Sequence, residues 1–288
     1  MKLIIIITLL CVYPFNHGNY SSAQSTSNDI VMQPSDKKIA EQILTKFRND
    51  YQLKTNLLLI KVGKFLLETP YAANTLEIVE NEQMVINLRA LDCTTFAENC
   101  LALARTIQKK ETSFVDFVNE LKFIRYRDGI LNEYPSRLHY FSDWIFNNEK
   151  KILIKDMSKE IGQTPFPTKV NFMSNHPENY PALINKPDFI KQICQQESEI
   201  SNRANFYIPK NKFAKYEHLL QDGDIIGITT NIDGMDIMHV GFAIHKRGRI
   251  HILHASQLHK KVLVSNDTLE KYLKTKNSAT GIMVARPL

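Results

Sequence analysis

The chain has 288 residues, 43% of them hydrophobic and 23% charged, with 10 Gly, 11 Pro and 4 Cys. That composition excludes collagen-like, coiled-coil, disordered and disulfide-framework proteins, and leaves one or two ordinary globular domains. A formal charge of +6, from 36 Lys+Arg against 30 Asp+Glu, is interspersed with both signs and argues against nucleic acid as a partner, since such binders cluster basic residues around aromatic platforms.

Lys2 and the apolar run at 3–13 precede a polar stretch at 16–22, the pattern of a secretory signal peptide, and Ser21 and Ala23 flank a cut after Ala23 at minus three and minus one. The run is too short to span about 30 Å of hydrocarbon as a helix. The expectation is therefore a signal at 1–23, a linker at 24–34 and a single exported domain at 35–288 with no stable membrane insertion. Cys11 leaves with the signal. Cys93, Cys100 and Cys194 remain, an odd number in an oxidising compartment, so at least one stays unpaired or pairs between chains.

Ser35 is the expected N-cap of a first helix that carries Ile39, Ile43, Leu44 and Phe47 at three-to-four spacing. A second helix at about 53–67 stops at Pro70-Tyr71, and 77–91 offers one or two short strands (EIVE, MVINL). From Cys93, residues Phe96, Cys100, Leu103, Ala104 and Ile107 share one face of an amphipathic helix with Asp92 as its N-cap. Helices are expected at 113–123 and about 137–148, the second with the lone Trp144, and a Pro/Asn-rich connection at 164–187. The character then shifts to β-rich runs at 225–230, 237–245, 249–254, 261–265 and 281–285, separated by Asp222-Gly223, Asp233-Gly234 and Arg247-Gly248. Helices followed by an antiparallel meander define an α+β fold.

Cys93 falls in the first turn of its helix, where free backbone N–H groups and the macrodipole favour a thiolate. Cys100 reads as core. Cys194, in the helical stretch at 188–196, reads as structural, with a bridge to Cys100 left open. A nucleophilic thiol needs a base, and the base needs an orienting group. The strand at 237–245 puts His239, Gly241 and Ala243 on one face, and His254 ends the next strand within reach of His239. A zinc site built from His239, His245, His251 and His254 competes, but there is no H-E-x-x-H helix and no Cys pair at ligand spacing. No metal or other cofactor is expected.

Five pieces resemble the NlpC/P60 cysteine peptidases of bacterial cell walls, in that family's order: Pro70-Tyr71, Leu91-Asp92-Cys93-Thr94-Thr95-Phe96, Asp222-Gly223-Asp224-Ile225-Ile226, His239-Val240-Gly241-Phe242 and Leu253-His254-Ala255-Ser256. The runs YPSRLHYFSDW at 134–144, NFMSNHP at 171–177 and TGIMV at 280–284 are similar to its DUF1460 branch, typified by N-acetylmuramoyl-L-alanine amidases of Gram-negative bacteria. The resemblance implies a papain-like core, a Cys-bearing helix packed on an antiparallel sheet with helical insertions, and a periplasmic enzyme acting on muropeptides. It implies Cys93 as nucleophile, His239 as base and His254 as orienting group, with the thiolate–imidazolium pair forming readily at neutral pH. Tyr71 would join the Cys93 N–H at the oxyanion. Arg137, Asn171 and Ser174 are the candidates for holding sugar and peptide, against the plainer roles of a surface ion pair, a turn Asn and a helix cap. Two departures stand out: Cys-Ser-Gly becomes Cys93-Thr94-Thr95, and the double glycine after Pro-Tyr becomes Ala-Asn. Both positions shape the peptide pocket of the D-glutamyl endopeptidases, so the amidase branch is the better match. Such an endopeptidase and a non-catalytic peptidoglycan-binding module are the alternatives.

Overall fold

Ordered structure begins earlier than residue 35. The computed structural model describes residues 30–167 and 169–288; the expected signal peptide and the start of the linker lie outside them. Ile30–Val31 (β1) pairs in parallel with Met84–Val85 (β2). Helix α1 (Pro34–Phe47) is capped by Gln33, not Ser35, because Pro34 takes the first helical position, where its missing N–H costs nothing, and the Asp36 carboxylate accepts the Gln33 N–H. Helix α2 (Thr55–Phe65) follows. The EIVE strand does not form: residues 77–80 are loop, Ile78 is 59% exposed, and Glu77 is drawn instead to Arg137.

Helix α3 (Cys93–Gln108) is the centre of the helical layer, with Phe96, Cys100, Leu101, Leu103 and Ala104 wholly buried. Its start is fixed by a reciprocal cap. The Asp92 carboxylate accepts the Thr95 N–H at 2.7 Å while the Asp92 N–H donates to the Thr95 hydroxyl at 3.0 Å, a motif that contributes about 1 kcal/mol. Helices α1, α2 and α4 (Phe114–Arg125) pack around α3. Cys100 lies inside this layer and Cys194 is exposed on a distant helix, so no bridge joins them and all three described thiols are free.

The chain continues through α5 (Phe141–Lys150), β3 (Ile154–Asp156), α6 (Ser158–Gly162), β4 (Thr164–Pro165), α7 (Phe172–Asn175), α8 (Pro187–Asn202), β5 (Phe206–Pro209) and α9 (Phe213–Tyr216). The Pro/Asn-rich connection is therefore structured in part, and it closes over a small apolar cluster that includes Tyr134, Tyr140, Met173, Leu183 and Ile193. Then come β6 (Ile225–Thr230), β7 (Ile237–Lys246), β8 (Arg249–Ser256), β9 (Lys261–Val264), α10 (Leu269–Thr275) and β10 (Ala279–Pro287). The strands form an antiparallel sheet in the order β4-β5-β10-β6-β7-β8-β9, with β3 also on β10. One face, with Ile225, Val240, Phe242 and Met283, packs on the helical layer, where the Phe96 and Phe242 rings are 5.0 Å apart. The other, with Ile226, Ala243, Ile250 and Ile252, packs on Leu269 and Leu273 of α10. The protein is thus a mixed α/β molecule in which α3 lies against an antiparallel sheet. No helix among the described residues is long and apolar enough to cross a membrane.

Gly223, in the turn before β6, has a φ of +83°, and a Cβ there would run into the Asn56 carbonyl. Gly223→Ala is expected to destabilise the fold by roughly 2–4 kcal/mol, read in a thermal melt as a midpoint lowered by roughly 5–15 °C.

Candidate active site

Strands β7 and β8 are paired from Lys246↔Arg249 to Phe242↔Leu253 and then part. Beyond that point β7 runs on beside β6 alone, and β8 beside β9 alone. The N–H and C=O of Ala243 both bond to the segment leading into β6, through Asp224 and Gly223. By alternation the backbone polar groups of Gly241 and His239 also face β6, and those of Phe242 and Val240 face β8. The Val240 N–H therefore opens into the split, where it faces the thiol of Cys93, brought there by the first turn of α3. Cys93 is half-buried.

His239 and His254 project from the sheet face opposite α3. Gly241 lets them close up, since a Cβ at that position would stand 2.9 Å from His254 Cβ and 2.7 Å from Ile252 Cγ1. His239 Nε2 and His254 Nδ1 are 2.6 Å apart, with the rings nearly perpendicular at 86°. His254 is buried, and Tyr272 of α10 packs over both rings, 6.5 Å from His239 and 6.1 Å from His254. Tyr71 stands on the other flank. Its N–H bonds to the Lys260 carbonyl, and the Leu91 N–H, just ahead of α3, bonds to the Pro70 carbonyl. Burial, then the nearby Cys93 and Asp92, push its hydroxyl up to about 12, so it stays a hydrogen-bond donor. Tyr71 and Tyr272 both lie near the Cys93 thiol and Tyr272 packs on both histidines, so four of the sequence candidates share one region.

Burial also governs the charges. It pushes the Cys93 thiol up to about 11, with the Asp92 carboxylate adding to the rise and the Val240 N–H and the Thr94 side chain opposing it. It pulls His239 down to about 3, helped by His254 and Lys276, and His254 down to about 4, helped by His259. Burial thus works against the thiolate–imidazolium pair that the resemblance implies: desolvation, together with an N-cap carboxylate beside the thiol, opposes the helix macrodipole.

Arg137, Asn171 and Ser174 lie elsewhere. Arg137 is 5% exposed, bonds Glu77 at 2.7 Å, approaches Glu82 at 3.5 Å and stacks over Tyr134, so it fastens the loop that follows Tyr71. The Asn171 N–H bonds to the Gly234 carbonyl, and the Ser174 N–H to Glu197 Oε1 at 3.1 Å. None of the three lines the cleft of about 750 Å³ that opens beside the histidines, whose walls include Tyr272, Lys276, Ser256 and His259. Tyr272 and Lys276 carry no motif; the nearest signal is Leu269 and Leu273, whose spacing with Tyr272 marks a short helix able to cover the histidine face. A smaller cavity of about 40 Å³, lined by Thr94, His139, Trp144 and Val240 among others, lies on the α3 side. Among the described residues no group of three His, Cys, Asp or Glu side chains is placed to hold a metal ion.

A half-buried thiol at a helix start, a hydrogen-bonded histidine pair and an adjoining cleft form the candidate site. The model of the AmiA-like, N-acetylmuramoyl-L-alanine amidase-like family matches residues 61–282, a span that holds all four converging residues, and the chain belongs to that family. An N-acetylmuramoyl-L-alanine amidase from Bacteroides uniformis ATCC 8492 is 37% identical over 81% of this chain and 98% of its own, with a TM-score of 0.77. A proposed xylanase from Bacteroides fragilis is 40% identical over 78% of this chain and 98% of its own, at 0.74. A DUF1460 protein of Legionella pneumophila str. Philadelphia 1, 21% identical over 87% and 96%, shares the fold at 0.64. No curated protein sequence matches the chain.

Two outcomes are expected from these charges. With its thiol protonated until well above neutrality, Cys93 should react with iodoacetamide slowly at pH 7, behind the exposed Cys194, and about tenfold faster per pH unit toward pH 10. Peptide mass mapping reads each site, and a Cys93 rate already at its plateau near pH 7 contradicts the neutral pair. Below pH 6.5 or so the unfolded chain protonates His139, His239 and His254, whereas burial holds them near 3, 3 and 4 in the fold. The unfolded state then binds more protons, so the stability tied to these groups is complete above about pH 6.5 and drains away as pH falls toward 4. The urea midpoint should drop between pH 7.5 and 4.5, and drop less in His139→Gln.

Proposed function

We propose that the protein is an N-acetylmuramoyl-L-alanine amidase of the cell wall that cuts the amide between N-acetylmuramic acid and L-alanine of muropeptides through a thioester on Cys93. Membership of an amidase-like family and likeness to an amidase from Bacteroides uniformis support a hydrolase acting on peptidoglycan. The observation that carries the finer reading is the thiol of Cys93 in the strand split beside the 2.6 Å His239–His254 pair. With Nε2–H donated to His254 Nδ1, a neutral His239 keeps a lone pair on Nδ1. That nitrogen takes the thiol proton as sulfur attacks the lactyl carbonyl, so proton transfer accompanies attack instead of preceding it.

The tetrahedral oxyanion is received by the Cys93 N–H and the Tyr71 hydroxyl. Its collapse breaks the C–N bond, and His239 returns the proton to the departing alanine amine. A water activated by His239 then splits the thioester, releasing the muramic carboxylate and restoring the thiol. His254 fixes the tautomer. Arg137 acts at a distance, through the loop after Tyr71. This arrangement suits a papain-like core of the NlpC/P60 kind, and the apolar run at 3–13 suits export to the periplasm. The xylanase description does not transfer: the cleft carboxylates Glu68 and Asp267 are each paired with a lysine, whereas glycosidases need two free ones.

Mass spectrometry of a defined muropeptide digest tests the reading. Native protein should release the intact stem peptide, Cys93→Ala none, and His254→Ala should lower kcat by roughly 100-fold with KM little changed. Cleavage after D-glutamate indicates the endopeptidase, and binding without turnover a recognition module.

A further inference from the structure

We propose that the cleft behind the histidine pair is a carboxylate subsite, in which Lys276 receives the acidic group of the stem peptide next to the bond that is cut. The inference rests on the amidase reading and adds the part of the substrate that is recognised. The cleft, about 750 Å³, is bordered by His239 and His254 on one side and by α10 and the residue that ends it, Lys276, on the other. Its other rim charges are matched internally. Lys261 pairs with Glu68 at 2.6 Å, and Asp267 with Lys271 at 2.8 Å.

Lys276 differs. It is half-buried, its Nζ sits 5.7 Å from the centre of the Tyr272 ring, and among the described residues none of the salt bridges engages it. The same Tyr272 packs over His239, so the cation stands one ring away from the base. Its charge disfavours protonation of His239, the very form that attack by Cys93 creates. Left alone, Lys276 opposes the reaction. A bound carboxylate cancels that charge and turns the residue from an obstacle into a grip on the substrate. The substrate class supplies such a group at the right place: the peptide continues from L-alanine through the γ-carboxyl of D-glutamate, which leaves a free α-carboxylate one residue beyond the scissile amide.

The test compares N-acetylmuramoyl-L-alanyl-D-glutamate with the same molecule amidated at the α-carboxylate. Binding is measured by calorimetry on full-length Cys93→Ala, which cannot turn either over. The acid should bind about tenfold more tightly than the amide. Lys276→Gln on that background should reduce the preference to within about twofold, and Lys276→Arg should keep it, with melting curves checking each variant. An equal affinity for acid and amide in the parent, no binding of either, or a preference that survives Lys276→Gln overturns the subsite. Turnover by the native protein is scored apart: acid preference without release of dipeptide sinks the amidase reading and leaves the subsite standing, and release without preference does the reverse.

Discussion

A buried backbone N–H with no partner costs about 1–3 kcal/mol, and the Val240 N–H would be such a group once β7 and β8 separate. The thiol of Cys93 faces that N–H and offsets part of the cost. Because sulfur is a weak acceptor and the Cys side chain is short, the first turn of α3 has to press directly against the split. The rest of the architecture serves that placement. The Asp92–Thr95 cap fixes the residue at which α3 starts, the Phe96–Phe242 contact holds the helix to β7, and α1, α2 and α4 bury the remaining faces of α3. Gly241 permits the matching approach on the opposite face, where a side chain would push His254 away from His239.

Burial shapes the chemistry as much as distance does. A site that desolvates both thiol and imidazole favours the neutral form of each, and the groups that would stabilise a thiolate, Val240 and the start of α3, are opposed by the Asp92 carboxylate that caps the same helix. The residue that positions Cys93 also restrains it. A protonated thiol reacts slowly with oxidants and stray electrophiles.

The helical half and the strand half were legible from periodicity: β6 lies at the expected residues and β7 to β10 differ by one or two residues at their ends, whereas β1, β3, β4 and β5, short strands inside the helical half and its connections, carried no such signal. Where the reading failed, tertiary forces decided. EIVE has strand-like alternation, but Glu77 finds an arginine and Ile78 finds no sheet to join. Arg137, a candidate for holding substrate, sits in a buried charge network that holds a loop. Cys93, His239, His254 and Tyr71 were legible because each sits in a recognisable local frame, a cap, a strand or a Pro-Tyr turn. Tyr272 and Lys276 were not, since a seven-residue helix with ordinary spacing does not announce what it covers.

The hairpin β8–β9 carries His254 on one strand and on the other clamps the segment around Tyr71: the Glu68 N–H bonds to the Val262 carbonyl, the Val262 N–H to Thr69, and Lys261 meets Glu68 from 193 residues away in the chain. Contacts of such separation are slow to form, because the loop between them has to be ordered first. Cys93, His239 and Tyr71 therefore come together only when the last third of the polypeptide has folded back onto the first. A finished chain whose last third has not docked holds all of these groups without their arrangement, so the assembled cleft doubles as a certificate of complete folding.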